Sequence, residues 1–270
     1  MKFALVKGER REAQKGLSGK CPGCGDAMIA KCGEERVPHW AHRGTRTCDH
    51  WWEPETEWHR AWKNQFPEDW QEKIHWSGDG EKHIADVKTE SGVVVEFQHS
   101  HLRRDERVSR EKFYQNMIWV VDAVRRKRDT AQFSALVDQA TILNREPKIV
   151  SVPWKEESAL LRDWEASDAP VYFDFRDGPV LWRLDPCVLS VTPLWGPNRM
   201  TCLSGVLKSW FLYAHLKGHP FEKMVSAEVE RAAARYWRQQ AQSQYYKDFV
   251  RYEARKLRYP AQRARTRPRF

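Results

Sequence analysis

No stretch of this 270-residue sequence approaches the roughly 18 consecutive apolar residues of a membrane span, so a membrane partner is not expected. The opening MKFALVKGERRE has too short an apolar core for a secretory leader, which predicts a cytoplasmic protein. Thiols stay reduced there, so the six cysteines are not expected to form a disulfide scaffold; metal binding or burial is left for them. No internal repeat is present either, which excludes a solenoid.

The length allows a sizeable buried core, in one large domain or two or three small ones. The net charge is +9, and it is unevenly spread. Residues 228–270 carry 12 Lys/Arg against 4 Asp/Glu, and the remainder 34 against 33. A basic segment on a nearly neutral body points to a polyanionic partner, most simply DNA. The 14 tryptophans suit a core and equally a stacking platform for bases.

The sequence is organised around Lys82–Ser100, KHIADVKTESGVVVEFQHS. Two strand-like runs flank Thr89-Glu90-Ser91-Gly92, a turn in which glycine can take positive φ. A turn centred near Glu90 and Ser91 sets Asp86 opposite Glu96, and alternation puts Glu96 and Gln98 on one face. Facing carboxylates repel. A cation between them would relieve this, and hard oxygen donors suit Mg²⁺.

Nearer the N-terminus, CPGC places Cys21 and Cys24 at the spacing of a zinc knuckle, followed by His39, His42, Cys48 and His50. Four thiolate or imidazole donors make a closed structural Zn²⁺ site. Cys21, Cys24, His42 and Cys48 is the preferred set, with His39 and His42 as an alternative completing pair. Cys32 reads as a small buried strand residue.

EPETEWHRAWKNQF predicts a helix over Glu53–Phe66. Trp58, Trp62 and Phe66 form its core stripe and Glu55, His59 and Lys63 a polar one. Strand Gln71–Trp76 leads into the hairpin. A charged helix follows over Arg104–Asn116, with Arg110 and Tyr114 on one face, and then the buried strand Ile118–Asp122. Beyond it the pattern gives a helix over Thr130–Glu146, a strand Val150–Trp154, a helical piece Glu156–Glu165, and a hairpin about Asp177-Gly178. A loop is expected over Pro186–Thr201 and a helix over Leu203–Leu216. A long helix over Glu222–Tyr259 interleaves Arg251, Arg255 and Arg258 with Tyr245, Phe249 and Tyr252, suited to phosphate contact and stacking. The tail PAQRARTRPRF is expected to be disordered. The expected class is α/β (α+β).

CPGC, HWAH at His39–His42, the row Glu55–His59–Lys63, IADV at Ile84–Val87, EFQHS at Glu96–Ser100 and SREKFY at Ser109–Tyr114 resemble the competence protein CoiA-like family. The resemblance covers about Cys21–Asp122. It implies a nuclease-like, PD-(D/E)xK-type core, whose order helix-strand-strand-strand-helix-strand matches the reading above. Four parts are then expected: a zinc module (1–52), the nuclease core (53–148), an accessory α/β region (149–221) and a basic helical tail (222–270). Carried over, Asp86 and Glu96 are the motif acids that hold Mg²⁺ or Mn²⁺, and Glu55 is the acid of the first helix. Gln98 stands where the pattern has lysine, so Lys63 or Lys88 would have to supply the ammonium. His59 and Lys63 would touch phosphate. Arg110, Tyr114, Arg251, Arg255 and Arg258 would hold the DNA backbone, with a homo-oligomer possible. The expected function is a metal-dependent DNA endonuclease in uptake, recombination or defence. The alternative is an inactive DNA-binding factor of the same fold, and an RNA- or protein-docking platform is a third reading.

Overall fold

The computed structural model describes residues 1–44, 48–51, 54–77, 80–152, 155–192 and 196–258, without side chains at 186–192, 196–200, 253 and 255–258. Among the described residues the fold is mixed α+β, with two sheets and six α-helices. The first sheet comprises β1 (Phe3–Val6), β2 (Glu9–Glu12), β3 (Ser18–Lys20), β4 (Ala27–Lys31) and β5 (His39–His42), in the order β2-β1-β3-β4-β5. A two-residue turn joins β1 to β2, with Lys7 at φ 52° and Gly8 at 86°. Positive φ at both positions matches the twist of the flanking strands. The charged ERRE of β2 carries no alternation and was not legible as a strand. Met28 and Trp40 form the floor of this small module.

The larger part runs α1 (Glu57–Lys63), β6 (Gln71–Trp76), β7 (Lys82–Lys88), β8 (Val94–Gln98), α2 (Arg104–Tyr114), β9 (Met117–Asp122), α3 (Asp129–Asp138), β10 (Thr141–Asn144), β11 (Ile149–Val152), α4 (Ala159–Trp164), β12 (Val171–Asp174), β13 (Val180–Thr192), β14 (Gly196–Leu207), α5 (Lys208–Leu216) and α6 (Phe221–Arg258). Its strands make one nine-stranded sheet, β10-β11-β14-β13-β12-β9-β8-β7-β6. β9 lies parallel to β8 and to β12 at the centre. It is buried along its whole length, as a parallel strand covered on both faces must be. Alternation along the central strands divides the core. Val95, Phe97, Ile118, Val120 and Tyr172 pack with Trp58 and Trp62 of α1, Phe211 of α5 and Phe221 of α6. Val94, Trp119, Val121, Val171 and Phe173 pack with α2, α3 and α4.

Several expectations change. The boundary expected between 148 and 149 is not a break in the sheet, because β12 joins β9 and β11–β14 extend the same layer. The helix expected from 130 to 146 ends at Asp138, and Thr141–Asn144 pairs with β11 instead. The expected loop 186–201 is the far half of a long β13–β14 hairpin, and Leu203–Leu207 is strand, not helix. Pro186 and Gly196 suggested a loop, but β12 stops pairing at Leu184. Pro186 therefore sits at an edge, where a missing N–H is tolerated. The tail from 259 onward lies outside the described residues.

α1 begins later than expected, because the Thr56 hydroxyl caps it by accepting the His59 N–H at 3.3 Å. Its seat is fixed by Asp174 at the end of β12. The indole N–H groups of Trp58 and Trp62 both donate to Asp174 Oδ2 at 2.8 Å, and Lys208 Nζ lies 2.7 Å from Oδ1. Burial raises the Asp174 pKa, but Lys208 and the two indoles more than offset this and hold it below the usual carboxylate range. Asp174→Ala should leave two buried indole N–H donors unmet and Lys208 without its carboxylate, lowering the unfolding free energy by about 3 kcal/mol; urea titration followed by tryptophan fluorescence measures it.

Candidate functional site

Two clusters meet at one cavity. In the first, Cys21 follows β3, Cys24 closes a turn in which Gly25 takes φ 79°, His42 ends β5 and Cys48 follows it. One donor atom from each lies within 4.8 Å of the others. Cys21 Sγ is 3.6 Å from Cys48 Sγ, and Cys24 Sγ is 3.3 Å from His42 Nε2. A tetrahedral zinc with ordinary Zn–S and Zn–N bonds has donor–donor edges of roughly 3.5–3.8 Å, so three thiols and one imidazole here could bind zinc. Burial, then hydrogen bonding and charge from Cys21, pushes the Cys48 thiol up to about 12, and a cation would relieve that crowding. His39 is not in the cluster, since its Nδ1 pairs with the Val37 carbonyl at 2.9 Å. The His39 alternative therefore falls away. Gly23 sits against this group: a Cβ there would meet Cys48 Sγ at 3.1 Å and Ile84 Cδ1 at 3.6 Å. Its carbonyl accepts from Lys82 Nζ at the start of β7.

The second cluster forms where β7 and β8 part. Their ladder holds Val87 to Val95 and Lys88 to Val94 and extends no further. Beyond it, the Asp86 N–H donates to Glu96 Oε1 at 3.1 Å and the Phe97 N–H to Asp86 Oδ2 at 3.0 Å. Each carboxylate thus satisfies a backbone amide released by the parting strands. Asp86 and Glu96 line one cavity of about 70 Å³ together with Glu55, His59, Lys63, Glu72 and Arg110. His42, Cys48 and Asp49 of the N-terminal module form part of its wall. That space holds a few waters.

The charges there are tightly tied. His59 Nε2 meets Asp86 Oδ2 at 2.8 Å. Lys63 Nζ lies 2.7 Å from Glu55, 3.0 Å from Glu72 and 3.9 Å from Asp86. Arg60 also pairs with Glu55, at 2.6 Å, and Arg110 Nη1 with Glu96 at 3.2 Å. Burial raises the Glu55 carboxyl, but Lys63 and Arg60 outweigh it and bring it down to about 2. Asp86 likewise stays below its ordinary value against burial, through His59 and then Lys63. Glu96 goes the other way. Burial and then the Asp86 charge push it up to about 8, more than Arg110 recovers. Within the pair the proton is therefore favoured on Glu96 and disfavoured on Asp86.

Some expected members lie elsewhere. Gln98 does not converge on the acids; its Nε2 donates to the Ser100 carbonyl at 3.1 Å, and it is not among the cavity-lining residues. Lys88 Nζ pairs with His75 Nδ1 at 3.0 Å, at the turn end of β7, away from the cavity. Arg110 and Tyr114 are buried, Arg110 on Glu96 and Glu106 and Tyr114 among Trp51, Phe113 and His75, and both line the cavity instead of an open surface. His59 and Lys63 are also buried, committed to the acids and not turned to solvent. Arg251 is exposed on α6 beside exposed Tyr245 and Phe249, while the side chains of Arg255 and Arg258 lie outside the described set. Glu72 was missed. As one residue of a polar strand, QEKIHW, it gave no signal beyond its charge. Asp49, His50 and His83, whose donor atoms also lie together, were not grouped because 33 residues separate His50 from His83.

The protein so defined is a mixed α+β chain with a thiol–imidazole module docked on an acidic cleft, and among its described residues no helix is long and apolar enough to cross a membrane. Residues 7–50 match the family model of the competence protein CoiA, N-terminal domain. No curated protein and no solved structure matches the chain significantly.

The purified chain should carry about one zinc by atomic absorption, lost in Cys21→Ser and Cys48→Ser and kept in Cys32→Ser and His39→Ala. The acidic cleft gives a second expectation. Glu96 is raised above its unfolded value, so its contribution is fully favourable below about pH 4.5 and is lost as pH rises to about 8. Glu96→Gln should therefore gain thermal stability relative to the parent across that range, as melting curves at successive pH values without divalent ions will record.

Proposed function

We propose that this chain is a metal-dependent DNA endonuclease in which Asp86 and Glu96 hold Mg²⁺ or Mn²⁺ beside a scissile phosphate. The observation that carries the reading is the pair of carboxylates at the parting of β7 and β8, one ionised and one pushed up to about 8 in a shared cavity. A carboxyl raised by burial and by a neighbouring carboxylate, with hard oxygen donors around it, fits a divalent ion. The succession α1-β6-β7-β8-α2-β9 is also the order of the nuclease-type core that the family resemblance implies.

Bound there, a divalent ion would neutralise phosphate charge and acidify a water. The chain's own groups prepare that position. His59 and the Phe97 amide orient Asp86, and Glu96, once ionised, would be the second carboxylate to hold the ion. Lys63 is the ammonium of the cleft in the absence of a lysine at position 98: it stays charged, because Glu72, Glu55 and Asp86 outweigh its burial. The basic α6, with Arg251 exposed, supplies charge for the DNA backbone. The biological setting we propose is DNA uptake, recombination or defence.

Two observations favour a second reading, a DNA-binding factor of the same fold without cleavage. Gln98 is turned to Ser100, and Lys63 is held by two carboxylates before any substrate arrives. Plasmid nicking with Mg²⁺ or Mn²⁺ separates the two. The nuclease reading expects cleavage by the parent and at least about 100-fold less by Asp86→Ala and Glu96→Ala. Equal nicking by all three proteins rules out this site. Salt-sensitive DNA binding with no product under either ion leaves the second reading.

A further inference from the structure

Glu72 has a backbone that its strand does not call for. The β6–β7 ladder holds Gln71 to Val87 and Lys73 to Ala85, yet Glu72 between them takes φ 48°. That left-handed conformation is unfavourable for a residue with a side chain. The surroundings account for it. The carboxylate, 5 % exposed, accepts the N–H groups of Lys2 at 2.6 Å and Phe3 at 3.0 Å, both at the start of β1. The same carboxylate meets Lys63 Nζ at 3.0 Å. The docking of β1 at this place has further ties. Lys2 Nζ donates to Asn64 Oδ1 at 2.6 Å and Gln71 Oε1 at 3.0 Å, and the Arg10 guanidinium stacks 3.9 Å from the Phe3 ring centroid.

We propose that Glu72 is the positioning residue for Lys63, a strut through which the docked first strand of the N-terminal module sets the ammonium between Glu55 and Asp86. A carboxylate is the one side chain here that can accept from two amides and still neutralise an ammonium. Without it, Lys63 keeps Glu55 at 2.7 Å and loses the partner opposite. That Lys63 then serves a reaction at Asp86 and Glu96 rests on the nuclease reading; the strut itself does not.

The test is the crystal structure of Glu72→Gln beside that of the parent, with no DNA or divalent ion present. Glu72→Gln keeps an oxygen for the amides and drops the charge. Lys63 Nζ should leave its place between Glu55 and Asp86, closing on Glu55 and withdrawing from Asp86 beyond the reach of an ion pair, about 4 Å. A merely structural Glu72 would lower the melting temperature and leave the ammonium where it was, and an unmoved Lys63 overturns the proposal. Should Glu72→Gln fail to fold, Glu72→Asp carries the same readout, since one methylene less reaches the amides or the ammonium but not both. A displaced Lys63 in a protein whose parent cuts no DNA sinks the nuclease reading and leaves the strut. An unmoved Lys63 in a protein that cuts does the reverse.

Discussion

The rest of the cleft depends on two hydrogen bonds that replace a ladder. Where β7 and β8 separate, two backbone amides lose their strand partners inside the protein, and the side chains of Asp86 and Glu96 take them up. An unmet buried amide costs more than the net worth of an ordinary hydrogen bond. The separation is therefore stable only with side-chain oxygen acceptors at both positions, and the two acids come close only because the strands separate. Burial and like-charge crowding are the price, visible in the raised carboxyl of Glu96. His59, Lys63 and Arg110 moderate it without removing it.

The partners of the two acids come from both sides of the sheet. α1 brings His59 and Lys63 from the face lined by Phe97, and α2 brings Arg110 from the face lined by Trp119. Each helix is seated by its own buried polar anchor. For α1 it is Asp174 under two indoles. For α2 it is Glu111, which accepts the Trp119 indole N–H at 3.0 Å and the Ser167 hydroxyl at 2.6 Å. These anchors convert tryptophan packing into the aim of a charged side chain. That is one use of the large tryptophan count that composition alone could not assign.

The hairpin, the four metal-type ligands and the order α1 to β9 were legible because each is local. Alternation, a glycine turn and CPGC spacing all act within a dozen residues. What was not legible is set by distant parts of the chain. Gln98 shares a face with Glu96 by alternation, but its amide finds Ser100 two residues on. Arg110 and Tyr114 have the composition of a nucleic-acid contact and are buried, because α2 turns that face to the sheet. Pro186 reads as a loop residue until one knows that β12 ends before it. Glu72 could not be found at all, since its partners are 69 and 70 residues earlier in the chain.

Gly23 ties the two clusters mechanically. Its missing Cβ lets the knuckle touch Ile84 and Cys48 at once, while its carbonyl is gripped by Lys82 at the foot of β7. Module and hairpin consequently meet with the knuckle's backbone pressed directly on side chains of the hairpin. Neither piece can be transplanted to another scaffold alone: a grafted hairpin would arrive without its abutment, and a grafted knuckle would expose the flank that this glycine was shaped to press.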